Sequence, residues 1–221
     1  MTTPAEFYET HADLLDQAVR ATTVRDYWSA FPESPSKSVY GEQAAPEGER
    51  AFRALLGQSF LIEVPGAAGS VSTERSPWGL ELGISYPKAD PLALVAAARA
   101  ATPAWRAVGP QGRAGIAAEI IKRINARSFE LAHAVQHTTG QAFVMAFQAG
   151  GPHAQDRALE AVAYALAATT RIPVTTEWSK PQRGGDPSRL DKTSTVVGRG
   201  VSLVIGCNTF PTWNSYPALF A

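Results

Sequence analysis

The chain holds four histidines and one cysteine, the side chains most often used as metal ligands or nucleophiles. His133 and His137 lie four apart, the spacing that sets two imidazoles on one face of a helix. Helical histidine pairs can hold zinc. The zinc-protease arrangement places a glutamate directly after the first histidine as general base, and that position is Ala134. No third ligand is evident nearby, so the pair reads as surface or interhelix hydrogen bonding, and no metal is expected. Cys207 is the only cysteine. A thiol becomes nucleophilic when a base or a helix N-terminus lowers its pKa. No His or Glu stands beside Cys207 in the sequence, which favours a buried, inert cysteine at a strand end. Gly198-Arg-Gly200 resembles half of a dinucleotide fingerprint. A working fingerprint follows a strand and opens a helix; this one precedes a strand and reads as a turn, as does Arg183-Gly-Gly.

The segment Val204-Ile-Gly-Cys-Asn-Thr-Phe-Pro-Thr-Trp-Asn-Ser-Tyr-Pro217 says more. An apolar strand runs into a loop carrying asparagine, aromatics and prolines, and then into a helix. Ligands of open α/β sheets bind outside the carboxyl ends of strands. An asparagine there can donate its side-chain N–H to a developing oxyanion. A tight, aromatic-packed turn would use the same residues. Spacing alone leaves both readings open.

The elements that must position this segment are mostly helical. Residues 4–30 predict a helix, with Tyr8, Ala12, Leu15 and Val19 on one face. Residues 32–46 hold three prolines, several serines and a glycine, and predict a surface loop. A short helix over about 47–56 follows. Two short strands are expected at 60–64 and 79–84. Asp90-Pro91 opens an alanine-rich helix that reaches Trp105, since Asp caps free N–H groups and proline suits the first helical position. The next helix spans about 111–127, with Ile116, Ile120 and Ile124 as its stripe. Ser128 would cap a third helix that Gly140 stops. A further helix covers 152–169, with Leu159, Val162 and Leu166 on one face. Two extended segments, about 172–179 and 189–199, flank a turn at 183–187. Residues 201–205 form a continuous apolar run, the pattern of a strand buried on both faces of a parallel sheet. A new helix closes the chain. The pattern is thus α/β, mostly helical here, with short strands and one strand of the parallel-sheet type.

Composition narrows the function classes. Of 221 residues, 45% are hydrophobic and 18% charged, too apolar for disorder. Basic and acidic residues balance at 20 each, which gives no electrostatic footprint for nucleic acid or an acidic membrane. A single cysteine rules out a disulfide framework within the chain and fits a reducing, cytoplasmic compartment. The first residues lack a basic n-region and a long apolar run, unlike a signal peptide. No stretch approaches the roughly 20 apolar residues that span a bilayer.

Three stretches together resemble the aldehyde dehydrogenases, in that family's order. The first joins Ala96-Ala-Ala-Arg-Ala-Ala to Trp105 and Arg113. The second is Thr138-Thr-Gly-Gln141, a glycine stop before another helix. The third is Gly200-Val-Ser-Leu-Val-Ile-Gly-Cys-Asn208 with Phe210-Pro211, similar to the family's strand and Pro-Trp-Asn-Phe-Pro loop. Longer blocks look like the PaaN-type group of phenylacetic acid degradation proteins: Phe143-Val-Met-Ala-Phe-Gln-Ala-Gly-Gly-Pro-His-Ala-Gln-Asp-Arg157, the 205–217 segment, Tyr27-Trp28 and Val39-Tyr40-Gly41. The resemblance covers essentially the whole chain.

That resemblance implies the N-terminal part of an enzyme that oxidises an aldehyde with NAD or NADP. Residues 1–171 would be a helical lead-in and the start of the cofactor domain. Residues 172–200 would form an oligomerisation-arm-like segment, and 201–221 the first strand and loop of a Rossmann-like sheet, incomplete here. Asn208 is the implied oxyanion residue, with Asn214 as rival. Ile205, Gly206, Cys207 and Asn208 would line the nicotinamide side, although Gly206 and Cys207 replace the family's usual Pro and Trp. The nucleophilic Cys and general-base Glu have no counterpart in the chain, so the fragment itself is expected to be inactive. Partners implied are a small-molecule aldehyde formed after ring opening, with a CoA thioester among the candidates, and further copies in a homo-oligomer. No nucleic-acid or membrane partner is expected. A non-catalytic helical interaction protein is the alternative, using the helices of 91–169 as scaffold and 172–200 as a pairing edge.

Overall fold

The computed structural model describes residues 2–221. Helix α1 (Pro4–Val24) begins with a reciprocal capping box, in which Thr3 accepts from the Glu6 backbone and Glu6 accepts from Thr3. The helix stops six residues short of the expected end. Thr22 and Thr23 turn their hydroxyls back to the Val19 carbonyl, and Arg25 adopts a left-handed φ of 63°. His11, Leu15 and Ala18 are its buried positions, with Tyr8 and Val19 half-buried beside them. The expected loop at 32–46 contains helix α2 (Lys37–Tyr40), and α3 (Ala44–Arg53) begins earlier than the sequence suggests.

The strands expected at 60–64 and 79–84 do not form. Instead β1 (Ser70–Val71) pairs antiparallel with β2 (Tyr86–Pro87). The chain does pair just outside the two expected segments, through an isolated parallel bridge between Ser59 and Ser85, and a bond runs from the Phe60 N–H to the Ser85 carbonyl. Beyond it Leu61 is 96% exposed, and the following Pro65-Gly66 turns the chain away from further pairing.

Helix α4 (Pro91–Ala107) starts at Asp90, whose carboxylate accepts from the Leu92 N–H at 2.9 Å. It buries no residue, and Leu92 is 80% exposed. Helix α5 (Gly109–Asn125) corrects the sequence reading. Its buried positions are Gly112, Ala114, Gly115, Ala118 and Ile121, while Ile120 is exposed and Ile116 and Ile124 are half-buried. Small residues let α1 come close: a Cβ on Gly115 would lie 2.3 Å from the Tyr8 nitrogen. The isoleucine stripe follows the helical period, but close backbone approach selects the adjacent small face.

Helix α6 (Ser128–Thr139) ends at Gly140, with φ of 82°, as expected. Ser128 is not its cap; it is buried and its Oγ accepts from Gln155 Nε2 at 3.0 Å. Helices α7 (Phe143–Gly150) and α8 (Pro152–Thr170) meet at a sharp corner at Gly151. One core joins α1, α5 and α8 through Leu15, Ala118, Ile121, Leu159, Val162 and Leu166. A second cluster packs Phe129 and Phe147 with Tyr40, and a third centres on Phe52, Leu82 and Ile84.

Strands β3 (Thr175–Gln182) and β4 (Gly185–Thr193) form an antiparallel hairpin whose residues are all exposed. Its turn is the two residues Arg183-Gly184, and Gly184 supplies a φ of 80°. Residues 201–205 form no paired strand. They run extended and solvent-facing, with Leu203 84% and Ile205 81% exposed. A strand is fixed by its neighbours, and no other strand of the described chain lies beside this one. The closing helix is α9 (Pro211–Phe220), so Asn214 lies within a helix. Its Tyr216 and Phe220 pack on the α1–α5–α8 core. Among the described residues, no helix is long and apolar enough to cross a membrane.

Candidate active-site turn

The 206–210 turn sits between the extended run and the first turn of α9. Two backbone features set its place. Gly140 ends α6 in a left-handed conformation and delivers Gln141. The α7–α8 corner offers the Gly150 carbonyl, which accepts from Thr212 Oγ1 at 3.0 Å. That corner needs glycine, because a Cβ on Gly151 would stand 2.5 Å from the Phe147 carbonyl oxygen. The His153 ring meets the Trp213 ring edge-on at 5.4 Å and also pairs with Glu33. Side chains of α8 and the α7–α8 corner thus hold the base of α9.

Within the turn, Cys207 is the organising side chain. Its Sγ accepts from the Phe210 N–H at 3.3 Å and from Asn214 Nδ2 at 3.1 Å. Asn214 Nδ2 also donates to the Phe210 carbonyl at 3.1 Å. Gly206 is pressed against α9, since a Cβ there would lie 2.8 Å from the Pro211 carbonyl oxygen. Asn208 and Thr209 are left exposed at the tip. The Thr209 carbonyl accepts from Gln141 Nε2. Cys207 is exposed rather than buried, which corrects the sequence reading. An acceptor serving two donors at a helix start takes the place of the buried, inert residue expected there.

The five expected site residues are therefore adjacent but not equivalent. Asn208 is exposed, and its amide takes no part in the bonds that hold the turn. Asn214 is committed to the turn. Ile205 is exposed, while Gly206 and Cys207 are used in folding the turn. Sequence reasoning missed Gln141 and Thr212 as supports. Gln141 carried a signal, because it directly follows the glycine stop at Gly140. Thr212 carried none that spacing could reveal.

His133 and His137 do share a face, as their spacing predicts. They stack on the Phe52 ring at 5.9 and 5.3 Å between centroids. His137 Nδ1 bonds Ser76 Oγ at 2.9 Å. Burial pushes the pKa of both imidazoles down. Among the described residues, no group of three or more His, Cys, Asp or Glu side chains could hold a metal ion. A separate cleft of about 530 Å³ lies between the end of α1, the 25–33 segment, α8 and Trp213. Asp156 on its wall accepts from Ser29 at 2.6 Å and from the Ala30 N–H at 3.0 Å, and burial raises its carboxyl pKa.

A helical layer that presents an Asn-bearing turn at the end of an extended apolar run is a fragment of an aldehyde dehydrogenase fold. The chain is similar to the NAD-dependent aldehyde dehydrogenase from Burkholderia multivorans, whose crystal structure it matches with a TM-score of 0.92 and 53% identity over 97% of this chain. It spans 38% of the length of that protein. This likeness supports membership of the aldehyde dehydrogenase superfamily. A 1-pyrroline-5-carboxylate dehydrogenase variant from Thermus thermophilus aligns at 18% identity with a TM-score of 0.46, over 69% of this chain and 32% of that one. No family model and no curated protein matches the chain.

Proposed function

We propose that this chain forms the front part of an NAD-dependent aldehyde dehydrogenase, in which Asn208 holds the oxyanion formed at the substrate carbonyl. The observation that carries this reading is the 53% identity, over 97% of the chain, with a protein that is itself an NAD-dependent aldehyde dehydrogenase. When a thiolate adds to an aldehyde carbon, charge moves to the carbonyl oxygen. A fixed N–H donor at that oxygen contributes about 10²–10³ in kcat. Asn208 has its amide free for that task, whereas Asn214 spends its amide on Cys207 and Phe210. Cys207 is not the nucleophile in this reading: its sulfur is an acceptor in the turn. The attacking thiolate and the carboxylate that activates water belong to residues outside this chain.

NAD, when bound, supplies the hydride acceptor. The exposed, apolar Ile205 fits one wall of a nicotinamide site, with Asn208 beside it. Gly206 and Cys207 act behind that wall, by shaping the turn. NADP is the other cofactor that the family resemblance admits. The long blocks that resemble the PaaN-type group favour a ring-opened aldehyde of phenylacetate catabolism as the proposed substrate, with a CoA thioester among its candidate forms. The exposed β3–β4 hairpin is proposed as an oligomerisation arm, and the cytoplasm as the compartment.

The test has two arms. The pure 221-residue chain is incubated with NAD⁺, NADP⁺ and simple aldehydes, and no reduced cofactor is expected. Turnover there would place the nucleophile within this chain and overturn the role given to Cys207. A polypeptide that joins this chain to the rest of a dehydrogenase fold is expected to reduce NAD⁺ with an aldehyde. Failure with every aldehyde tried would sink the enzyme reading.

A further inference from the structure

We infer that Gln141 is the positioning residue for Asn208. This rests on the oxyanion role proposed above, but the structural clamp stands by itself. The tip of the turn lies outside the network around Cys207. That network holds residues 207, 210 and 214, leaving Asn208 and Thr209 projecting into solvent. Gln141 supplies the hold on the tip. Its Nε2 donates to the carbonyl of Thr209, the residue directly after Asn208.

The orientation of the Gln141 amide is fixed by what it faces. A flipped amide would set Oε1 against the Thr209 carbonyl oxygen, and two acceptors repel. In the orientation adopted, Oε1 is buried and finds no hydrogen-bond partner among the described residues. An unsatisfied buried oxygen is uncommon and calls for a reason. Here the reason is the bond made by the other end of the same amide.

The backbone beneath Gln141 is also determined. Gly140 has the left-handed φ of a helix stop, and its N–H bonds the Gln136 carbonyl. The Gln141 N–H meets Thr139 Oγ1 at 3.4 Å. The clamp therefore reaches out from the fixed end of a packed helix, over 68 residues of sequence. Its consequence is chemical. An oxyanion donor acts only if its position is set before the reaction, and a mobile tip would leave Asn208 without a defined place.

The experiment uses the full 221-residue chain with ¹⁵N relaxation and amide exchange. Gln141→Met keeps the side-chain length and removes the donor. It is expected to lower the order parameters of the tip amides, 208 and 209, from about 0.85, typical of rigid backbone, to below about 0.6, typical of flexible segments. Phe210, whose N–H is held by Cys207 Sγ, should keep its exchange rate, as should α5 and α8. Gln141→Lys restores an N–H donor and removes the orphan oxygen, and is expected to keep the tip ordered. An ordered tip in Gln141→Met, or a loosened one in Gln141→Lys, overturns the proposal. Should Gln141→Met unfold, Gln141→Glu asks the same question with a carboxylate that cannot donate. In a polypeptide that oxidises aldehydes, Gln141→Met should lower kcat about tenfold with KM unchanged, and Gln141→Lys should restore it. If Asn208 has no role in oxidation, the relaxation result stands and only this kinetic effect disappears.

Discussion

The sulfur of Cys207 accepts a hydrogen bond from the side-chain amide of Asn214 at 3.1 Å. The same sulfur accepts from the Phe210 N–H, one of the unpaired donors at the start of α9. Sulfur is a weak acceptor, so its two bonds act together. Cys207→Ala removes both. A neutral hydrogen bond contributes about 0.5–1.5 kcal/mol net, so exchange of the Phe210 amide should quicken by about 3- to 10-fold. Cys207→Ser keeps an acceptor and should retain most of the protection. Equal protection in the alanine variant and the parent chain would show that the sulfur does not hold the turn.

The two asparagines are expected to differ in kind. In a polypeptide with aldehyde dehydrogenase activity, Asn208→Ala should lower kcat by about 10²–10³, the cost of losing one oxyanion donor. Asn214→Ala should lower it by less than about tenfold, since its amide supports the turn rather than the substrate. Steady-state kinetics on the two variants decides between them. The reverse order would hand the oxyanion role to Asn214.

His133 and His137 make stability depend on pH near neutrality. Burial pushes the His133 imidazole below its usual 6.5, with Glu49 opposing and His137 and Arg53 adding to the shift. Burial, then Arg53, does the same to His137. The unfolded chain thus binds more protons than the folded one as pH falls past 6.5. Stability is present above that value and declines as pH drops through the folded-state pKa values. Urea midpoints should fall from about pH 7.5 to about pH 5.5, and the His133→Gln, His137→Gln double variant should flatten this trend. Glu119, held below the usual carboxylate range by Arg123 and His11, adds a loss of the same sign only at lower pH, below about 4.5. An unchanged slope in the double variant would assign the dependence to other groups.

Much of this architecture was legible from local chemistry. Asp90-Pro91 and Gly140 marked real helix ends because caps act over one turn, and the α8 stripe of Leu159, Val162 and Leu166 is buried as its period requires. The failures have long-range causes. Ile116, Ile120 and Ile124 keep perfect helical spacing, yet α1 approaches the neighbouring face of glycine and alanine. Nothing local to 111–127 encodes that choice. The apolar run at 201–205 reads as a buried strand, but strands are defined by partners, and its residues are exposed here. At the site, the sequence places Asn208 at the end of that run, and its oxyanion role is the proposal made above. The glycine stop at Gly140 marks Gln141 as a helix-end residue, but its bond to Thr209 was not legible, because the contact links positions 68 residues apart.

The α1–α5 contact offers a test in which two principles predict opposite signs. In an isolated helix, Gly→Ala at position 115 would add about 1 kcal/mol of stability. In the folded chain the new Cβ would lie 2.3 Å from the Tyr8 nitrogen and 2.6 Å from its Cα. These are backbone atoms, so no side chain can swing aside, and α1 must move as a unit. That movement strains the capping box at Thr3 and the 2.8 Å bond between buried His11 and Glu119. Overpacking of this kind costs about 1–3 kcal/mol, and the backbone contact places it in the upper part of that range. Gly115→Ala should therefore lower the unfolding free energy by about 1–2 kcal/mol net of the propensity gain, measured by urea titration. Gly185→Ala is the control, because a Cβ there meets nothing within 4 Å, and it should stay within about 0.5 kcal/mol of the parent. A stabilised Gly115→Ala chain would mean that helix propensity wins and that α1 and α5 are not in backbone contact.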